Sequence, residues 1–286
     1  MLLLALALLT LVTCVDAIGN ITQCPKGCNC KLAFFGTQLY VHCDRGVPDV
    51  DTEQLSHQLD LMLSAEHLVA HLTSLTISNT PLTHVLASVC KLVNLTSLNL
   101  NGNKLISLPD NCFTQLTKLT TLSATRNSIT GLQDGLFDGM QSLVSIHLAF
   151  NHISFIGLRV FSNSTDLTRL RLVSLDYNRL TSLEPWWYYR CILGSETSPV
   201  RILLAHNLIS NFTNELQFKF RCGMKRPYGR LDLEINPIRH IMDIFKGWNM
   251  VDGSIFTTII CLGNLKHSFM DFDIGGKTYA CDCIDI

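Results

Sequence analysis

Leu95-Thr96-Ser97-Leu98-Asn99-Leu100-Asn101-Gly102-Asn103-Lys104-Leu105 fits the template L-x-x-L-x-L-x-x-N-x-L at every fixed position. The frame returns at Leu119, Leu122, Ala124, Asn127 and Ile129, at Leu143, Ile146, Leu148, Asn151 and Ile153, and at Leu170, Val173, Leu175, Asn178 and Leu180. Weaker copies flank these. Leu72, Leu75, Ile77, Thr80 and Leu82 precede them, with Thr80 in the asparagine position; copies opening at Pro199 and Tyr228 come after and keep Asn207 and Asn236. Starts at 72, 95, 119, 143, 170, 199 and 228 are spaced by 23, 24, 24, 27, 29 and 29 residues. Ile259, Cys261 and Asn264 suggest a degenerate last copy, and Leu59 and Leu61 the remnant of a first one.

The repeat has a physical reading. Alternation through Leu98-Asn99-Leu100 suits a short strand with one buried face. A single repeat has nowhere to bury its leucines, so neighbouring coils must supply the interior and the strand hydrogen bonds. The asparagine at position nine would be a buried amide, tolerable where it pairs with backbone groups at the turn. Asn103, Asn127, Asn151, Asn178, Asn207 and Asn236 are therefore expected to form a structural ladder.

Composition narrows the class. The 286 residues carry 22 Lys and Arg against 23 Asp and Glu, a net charge of -1, which excludes a polybasic nucleic-acid binder. Apolar residues make up 47 %, which excludes a disordered chain. Twelve cysteines point to an oxidising compartment. Residues 1–17, MLLLALALLTLVTCVDA, have the apolar run and small-residue end of a secretory signal. No later segment is apolar for long enough to span a bilayer. Asn20, Asn94, Asn163 and Asn211 open N-x-[ST] sequons and are candidate glycosylation sites.

These repeats resemble the extracellular leucine-rich repeat family, of the Toll-like receptor, Slit, Nogo receptor and variable lymphocyte receptor type. The resemblance implies an α/β repeat solenoid: a right-handed horseshoe with one short parallel strand per repeat and a mostly irregular convex side. Cys24-Pro25-Lys26-Gly27-Cys28-Asn29-Cys30, then Cys43, resembles the family's N-terminal cysteine cap. The family pattern would pair Cys24 with Cys30 and Cys28 with Cys43. Spacing alone allows three pairings, and four sulfurs could bind zinc instead. Cys281 and Cys283 resemble the opening of a C-terminal cap whose partner cysteines are expected beyond residue 286. Cys191 and Cys222 lie in the enlarged turns of neighbouring repeats, where a disulfide is expected. For Cys90 and Cys112, free buried thiols and a bridge both remain open. Cys261 reads as a small buried hydrophobe.

No catalytic constellation is present: no H-E-x-x-H, no phosphate-cradling glycine loop, no G-x-S-x-G. The reading is therefore non-enzymatic, without metal or cofactor. What the repeat offers is a surface. Positions 3, 5, 7, 8 and 10 are free of the core, and strand pleating is expected to turn them to the concave face. Small polar residues fill the early copies. From Arg126 onward, Arg126, His147, Phe150, His152, Asp176, Tyr177, Arg179, Arg201 and His206 gather there as candidate ligand contacts. Trp186-Trp187-Tyr188-Tyr189 is a second aromatic cluster, read mainly as packing of the enlarged loop.

The sequence thus predicts a signal over 1–17, a cysteine cap over 18–58, repeats over 59–266 and the start of a second cap over 267–286. The expected function is recognition of a protein or glycan, with no nucleic-acid partner, by a secreted chain or a cell-surface ectodomain. A soluble matrix glycoprotein is the alternative.

Overall fold

The computed structural model describes residues 24–25, 28–33, 37–43, 52–109, 112–160, 167, 169–183, 194–195, 198–212, 228–232, 236–237, 257–261, 272–273 and 278–279. Position four of each repeat sits at the centre of a short strand and faces position four of the next. Leu75 pairs with Leu98, Leu98 with Leu122, Leu122 with Ile146, Ile146 with Val173, Val173 with Ile202, and Ile202 with Leu231. The strands run parallel in chain order, from Gln38–Cys43 through Ser74–Ser78, Ser97–Asn99, Thr121–Ser123, Ser145–His147, Leu172–Ser174, Ser198–Leu203 and Tyr228–Asp232 to Thr257–Cys261. Each coil therefore climbs by one strand, and the architecture is the expected repeat solenoid.

One face of this sheet is the core. Leu95, Leu98, Leu100 and Leu105 are buried, as are their counterparts Leu119, Leu122, Ala124 and Ile129, and Leu143, Ile146, Leu148 and Ile153. On the opposite side of the coils the chain is mostly irregular, with 3-10 turns at Ala87–Lys91 and Phe113–Gln115. Phe113 and Phe137 plug the interior from that side and are fully buried.

The asparagine column joins coil to coil. The Asn151 Nδ2 donates to the Leu148 carbonyl of its own coil at 3.0 Å and to the Ala124 carbonyl of the preceding one at 3.0 Å. The Asn151 Oδ1 accepts the Ile129 N–H at 3.0 Å. Asn127, Asn178, Asn207 and Asn236 accept likewise from Leu105, Ile153, Leu180 and Ile209. At the first rung Thr80 replaces asparagine, and its hydroxyl and N–H both donate to the Asn103 Oδ1. A second ladder tracks the sheet's entry edge, where the hydroxyls of Thr73, Thr96 and Thr120 each donate to the carbonyl of the coil before, at Thr37, Thr73 and Thr96.

The N-terminal end differs from the sequence reading in one respect. Leu59 and Leu61 are not a strand remnant: both lie in the helix Thr52–Leu63. Leu55, Leu59 and Leu63, at i, i+4 and i+8, form its buried stripe, while Leu61 is exposed. The first parallel strand is Gln38–Cys43, whose Leu39 and Val41 enter the core. Cys28–Ala33 pairs with it antiparallel and closes the stack, so the sheet's first edge is a hairpin.

Disulfides fasten this end. Cys24 is bonded to Cys30. Cys28 is disulfide-bonded, and the hairpin register sets it opposite Cys43. Cys90 and Cys112, left open by the sequence, are bonded to each other and staple the irregular sides of two adjacent coils. Cys191, Cys222, Cys281 and Cys283 lie outside the described residues. The Cys90–Cys112 bridge closes a sequence separation of 22 residues. Replacing both cysteines by serine is expected to cost about 3 kcal/mol through the freer unfolded chain. A fall of the urea midpoint in equilibrium unfolding checks this; an unchanged midpoint would contradict it.

Candidate functional site

In the coils that start at Leu95, Leu119, Leu143 and Leu170 the strands cover only positions three to five, so pleating governs only those residues there. Of the nine candidate contacts, His147 and Arg201 stand on strands. The other seven are placed by the turn that leaves the strand. At position eight the backbone is left-handed: φ is 55° at Asn79, 70° at Gly102, 57° at Arg126, 57° at Phe150, 55° at Tyr177 and 55° at His206. This turn swings position nine inward, which lets the asparagine reach the core. It also projects position eight outward along the rim where the chain leaves the sheet.

Left-handed backbone is unfavourable for residues with a Cβ, by roughly 1–2 kcal/mol each, and bulky side chains there are unusual. The N–H of Asn79, Gly102, Arg126, Phe150 and Tyr177 donates to the position-seven carbonyl of the next coil. Arg126 reaches Ala149 at 3.0 Å, Phe150 reaches Asp176 at 2.9 Å and Tyr177 reaches Ala205 at 2.9 Å. The side chains then stack. The Phe150 and Tyr177 rings lie 4.3 Å apart at an interplanar angle of 9°, and Tyr177 and His206 lie 4.0 Å apart at 11°. Arg126 caps the other end, its guanidinium carbon 5.3 Å from the Phe150 ring centre. Ring pairs contribute about 0.5–1.5 kcal/mol each beyond burial, which offsets part of the turn's cost. Sequence reasoning selected these four residues but placed them on the pleated face; they form one continuous column along its exit rim. The signal for the turn was present in Asn79 and Gly102, the residue types that adopt a left-handed conformation most readily.

Phe150 and Tyr177 remain 43 % exposed each despite the stacking. Their faces are covered by neighbours, so what meets solvent is ring edges.

His152 and Arg179 belong to a different line. They occupy position ten, past the left-handed turn, and both are exposed. The His152 N–H donates to the Ile129 carbonyl and the Arg179 N–H to that of Ile153, which sets them on the backbone ladder beyond the asparagines rather than on the sheet. Asp176, at position seven, is a brace. Its Oδ1 accepts the Ala205 N–H at 2.9 Å and its Oδ2 the Ser174 hydroxyl at 3.0 Å. Asn101 makes the same bridge in an earlier coil, to the Thr125 N–H and the Ser123 hydroxyl.

His147 stands half-buried on the open face, flanked across the sheet by Ser123 and Ser174. Burial holds its pKa below the usual histidine value of 6.5. A depressed folded pKa means the unfolded chain takes up more protons, so His147 subtracts stability as pH falls through the unfolded value near 6.5 towards the folded one. Stability should decline from about pH 6.5 downward. His147→Gln should flatten that slope in denaturation measured at successive pH values. An unchanged slope would show that His147 does not carry it.

Among the candidate glycosylation sites, the side chain of Asn94 is engaged at both ends. Its Nδ2 donates to the Ala70 carbonyl at 2.9 Å and its Oδ1 accepts from Lys118 Nζ at 2.7 Å. Asn20 and Asn163 lie outside the described residues, as do Trp186-Trp187-Tyr188-Tyr189, and Asn211 is placed only as part of the short strand Asn211–Phe212. Among the described residues no helix is long and apolar enough to cross a membrane, and no cluster of metal-ligating side chains occurs.

The leucine-rich repeat family model matches residues 70–129 and 117–180. No curated protein matches the chain. Among solved structures, a TLR13–ssRNA13 complex is 23 % identical with a TM-score of 0.53, over 73 % of this chain and 26 % of that one. The leucine-rich repeat domain of APL1B is 19 % identical with a TM-score of 0.44, over 66 % of this chain and 46 % of its own. The Toll–Spatzle complex from Drosophila is 19 % identical with a TM-score of 0.40, over 59 % and 28 %. The chain spans between about a quarter and under half of these proteins. Register, asparagine ladder and family model coincide between residues 70 and 180, and over that stretch the chain matches the leucine-rich repeat family.

Proposed function

We propose that this chain is a non-enzymatic recognition module that binds a protein through the rim and open face of its sheet. The observation that carries the reading is the column Arg126–Phe150–Tyr177–His206. Four costly left-handed positions hold large, partly exposed side chains where small ones would satisfy the fold, and such strain gathers at functional sites. Aromatic residues and arginine are the usual anchors of protein interfaces. His147 and Arg201 would extend the contact onto the sheet, and His152 and Arg179 would border it. A protein is favoured over a glycan because a sugar packs on a free ring face, and here the faces are covered.

The reading carries the further proposals that residues 1–17 direct secretion, that the segment ahead of the repeats and residues 267–286 cap them, and that the module works outside the cell or on its surface. The disulfides support this placement, since such bonds persist in oxidising compartments.

The test is differential capture by the full chain from surface-labelled cells. Proteins retained by the wild type should be lost with Phe150→Ala/Tyr177→Ala and kept with Leu158→Ser, a change at an exposed site outside the column. The double variant should fold, with stability lowered by about 1–3 kcal/mol for the lost stacking. An identical captured set would place recognition elsewhere.

A further inference from the structure

Asn94 differs from the asparagines of the ladder. In Asn151, Asn178 and Asn207 the Nδ2 donates to carbonyls of two coils, so both of its hydrogens are taken. The Asn94 Nδ2 makes one such bond, to the Ala70 carbonyl at the end of the helix Glu66–His71. Lys118 Nζ donates to its Oδ1, and these two partners fix which end of the amide is nitrogen. Among the described residues nothing accepts the second Nδ2 hydrogen. Ala70, Asn94 and Lys118 follow one another at intervals of 24 residues. They line the edge where the chain enters the sheet, beside the hydroxyls of Thr73, Thr96 and Thr120. Asn94-Leu95-Thr96 is a sequon whose middle residue is fully buried, while Asn94 is half-buried and Thr96 exposed. Val93, next in the chain, leaves an apolar side chain 45 % exposed.

We infer that Asn94 carries an N-linked glycan, which closes the entry edge to partners and leaves the exit rim as the way in. This rests on the reading that the chain is secreted and recognises its partner through the rim. The donor is an oligosaccharide joined through a diphosphate to a lipid carrier. The Nδ2 attacks the anomeric carbon; a C–N bond forms as the C–O bond to the diphosphate breaks, and one Nδ2 proton passes to a base of the transferring enzyme. The folded coil accommodates the product. The hydrogen replaced is the spare one, the other still donates to Ala70, and Lys118 is exposed and able to give way. A sugar on Asn151, Asn178 or Asn207 would break a ladder bond instead. A glycan is bulky and hydrated. On Asn94 it shields Val93 and the entry edge, whereas position eight of the same coil lies on the order of 20 Å away at a rise of ~3.3 Å per residue.

The experiment expresses the full chain in secreting animal cells and treats the purified protein with peptide N-glycosidase in heavy-oxygen water. The peptide holding Asn94 should return with a heavy-oxygen aspartate in its place, and Asn94→Gln should abolish that mark. A chain recovered outside the cell, with Cys90 and Cys112 bonded but Asn94 unmarked, would overturn the inference and leave secretion standing. A chain retained in the cytosol with free thiols would overturn the secretion reading and this inference with it. Capture from surface-labelled cells tests the consequence. Asn94→Gln and Thr96→Val, which remove the sequon from either end, should both retain the proteins that the wild type retains. Arg126→Asn creates a sequon with Ser128 on the rim, at a left-handed position that asparagine adopts readily. Its glycosylated form should lose those proteins, and Arg126→Asn/Ser128→Ala, which has no sequon, should retain more of them. Loss of capture in both sequon-free variants at the entry edge, or capture indifferent to a sugar on the rim, would contradict the assignment of the two edges.

Discussion

Asn151→Leu should cost about 3 kcal/mol. Leucine is similar in size, so packing alone would predict little. The asparagine, however, is the acceptor of the buried Ile129 N–H and also donates to the Ala124 and Leu148 carbonyls, which keep Asn127 and Asn178 as second donors. The Ile129 N–H left without a partner costs roughly 1–3 kcal/mol, and each lost bond to a carbonyl that keeps its second donor roughly 0.5–1.5 kcal/mol. For a domain of this size the thermal midpoint should fall by about 6–12 °C. Calorimetry on the purified variant measures it. A fall of only a degree or two would mean that water or a shifted backbone supplies the missing partners, and the ladder would then be ornamental.

Phe137→Ala is the second. The ring fills the interior beneath the coil that starts at Leu119 and is 1 % exposed. Removing it should cost about 4 kcal/mol in lost transfer energy and cavity. Phe155 provides the matched control. It is the same residue type on the next coil, 55 % exposed, lying beside Gly131. Phe155→Ala should stay within about 1 kcal/mol of wild type. Denaturant unfolding of the pair checks both. Equal losses would contradict the assignment of inside and outside on this flank.

The repeat was legible because every coil must solve the same burial problem, so Leu98, Leu122 and Ile146 recur in one register and Asn103, Asn127 and Asn151 in another. Strands, stacking order and the asparagine contacts all derive from that recurrence. The helix Thr52–Leu63 was less visible. Its Leu55, Leu59 and Leu63 have helical spacing, yet Leu59-Asp60-Leu61 also imitates the alternation of a strand. The Cys90–Cys112 bridge could not be chosen from spacing, since it depends on two turns of neighbouring coils meeting. The site was half legible. Residue type singled out Phe150 and Tyr177, but their stacking depends on a backbone sign that Phe and Tyr do not favour. That sign is imposed by the turn, whose character shows only where Asn79 and Gly102 occupy the same position. The two hydrogen bonds of Asp176, one of them to Ala205 in the next coil, are invisible in a linear reading.

The coils are held to share one interior, and amide hydrogen exchange on the unmodified chain measures this most directly. Leu105, Ile129, Ile153 and Leu180 each donate an N–H to the asparagine of the next coil. If the stack opens as a unit, these four amides should exchange slowly, at closely similar rates, and far behind the N–H of exposed Val93. Rapid exchange at these four, or four unrelated rates, would contradict the account.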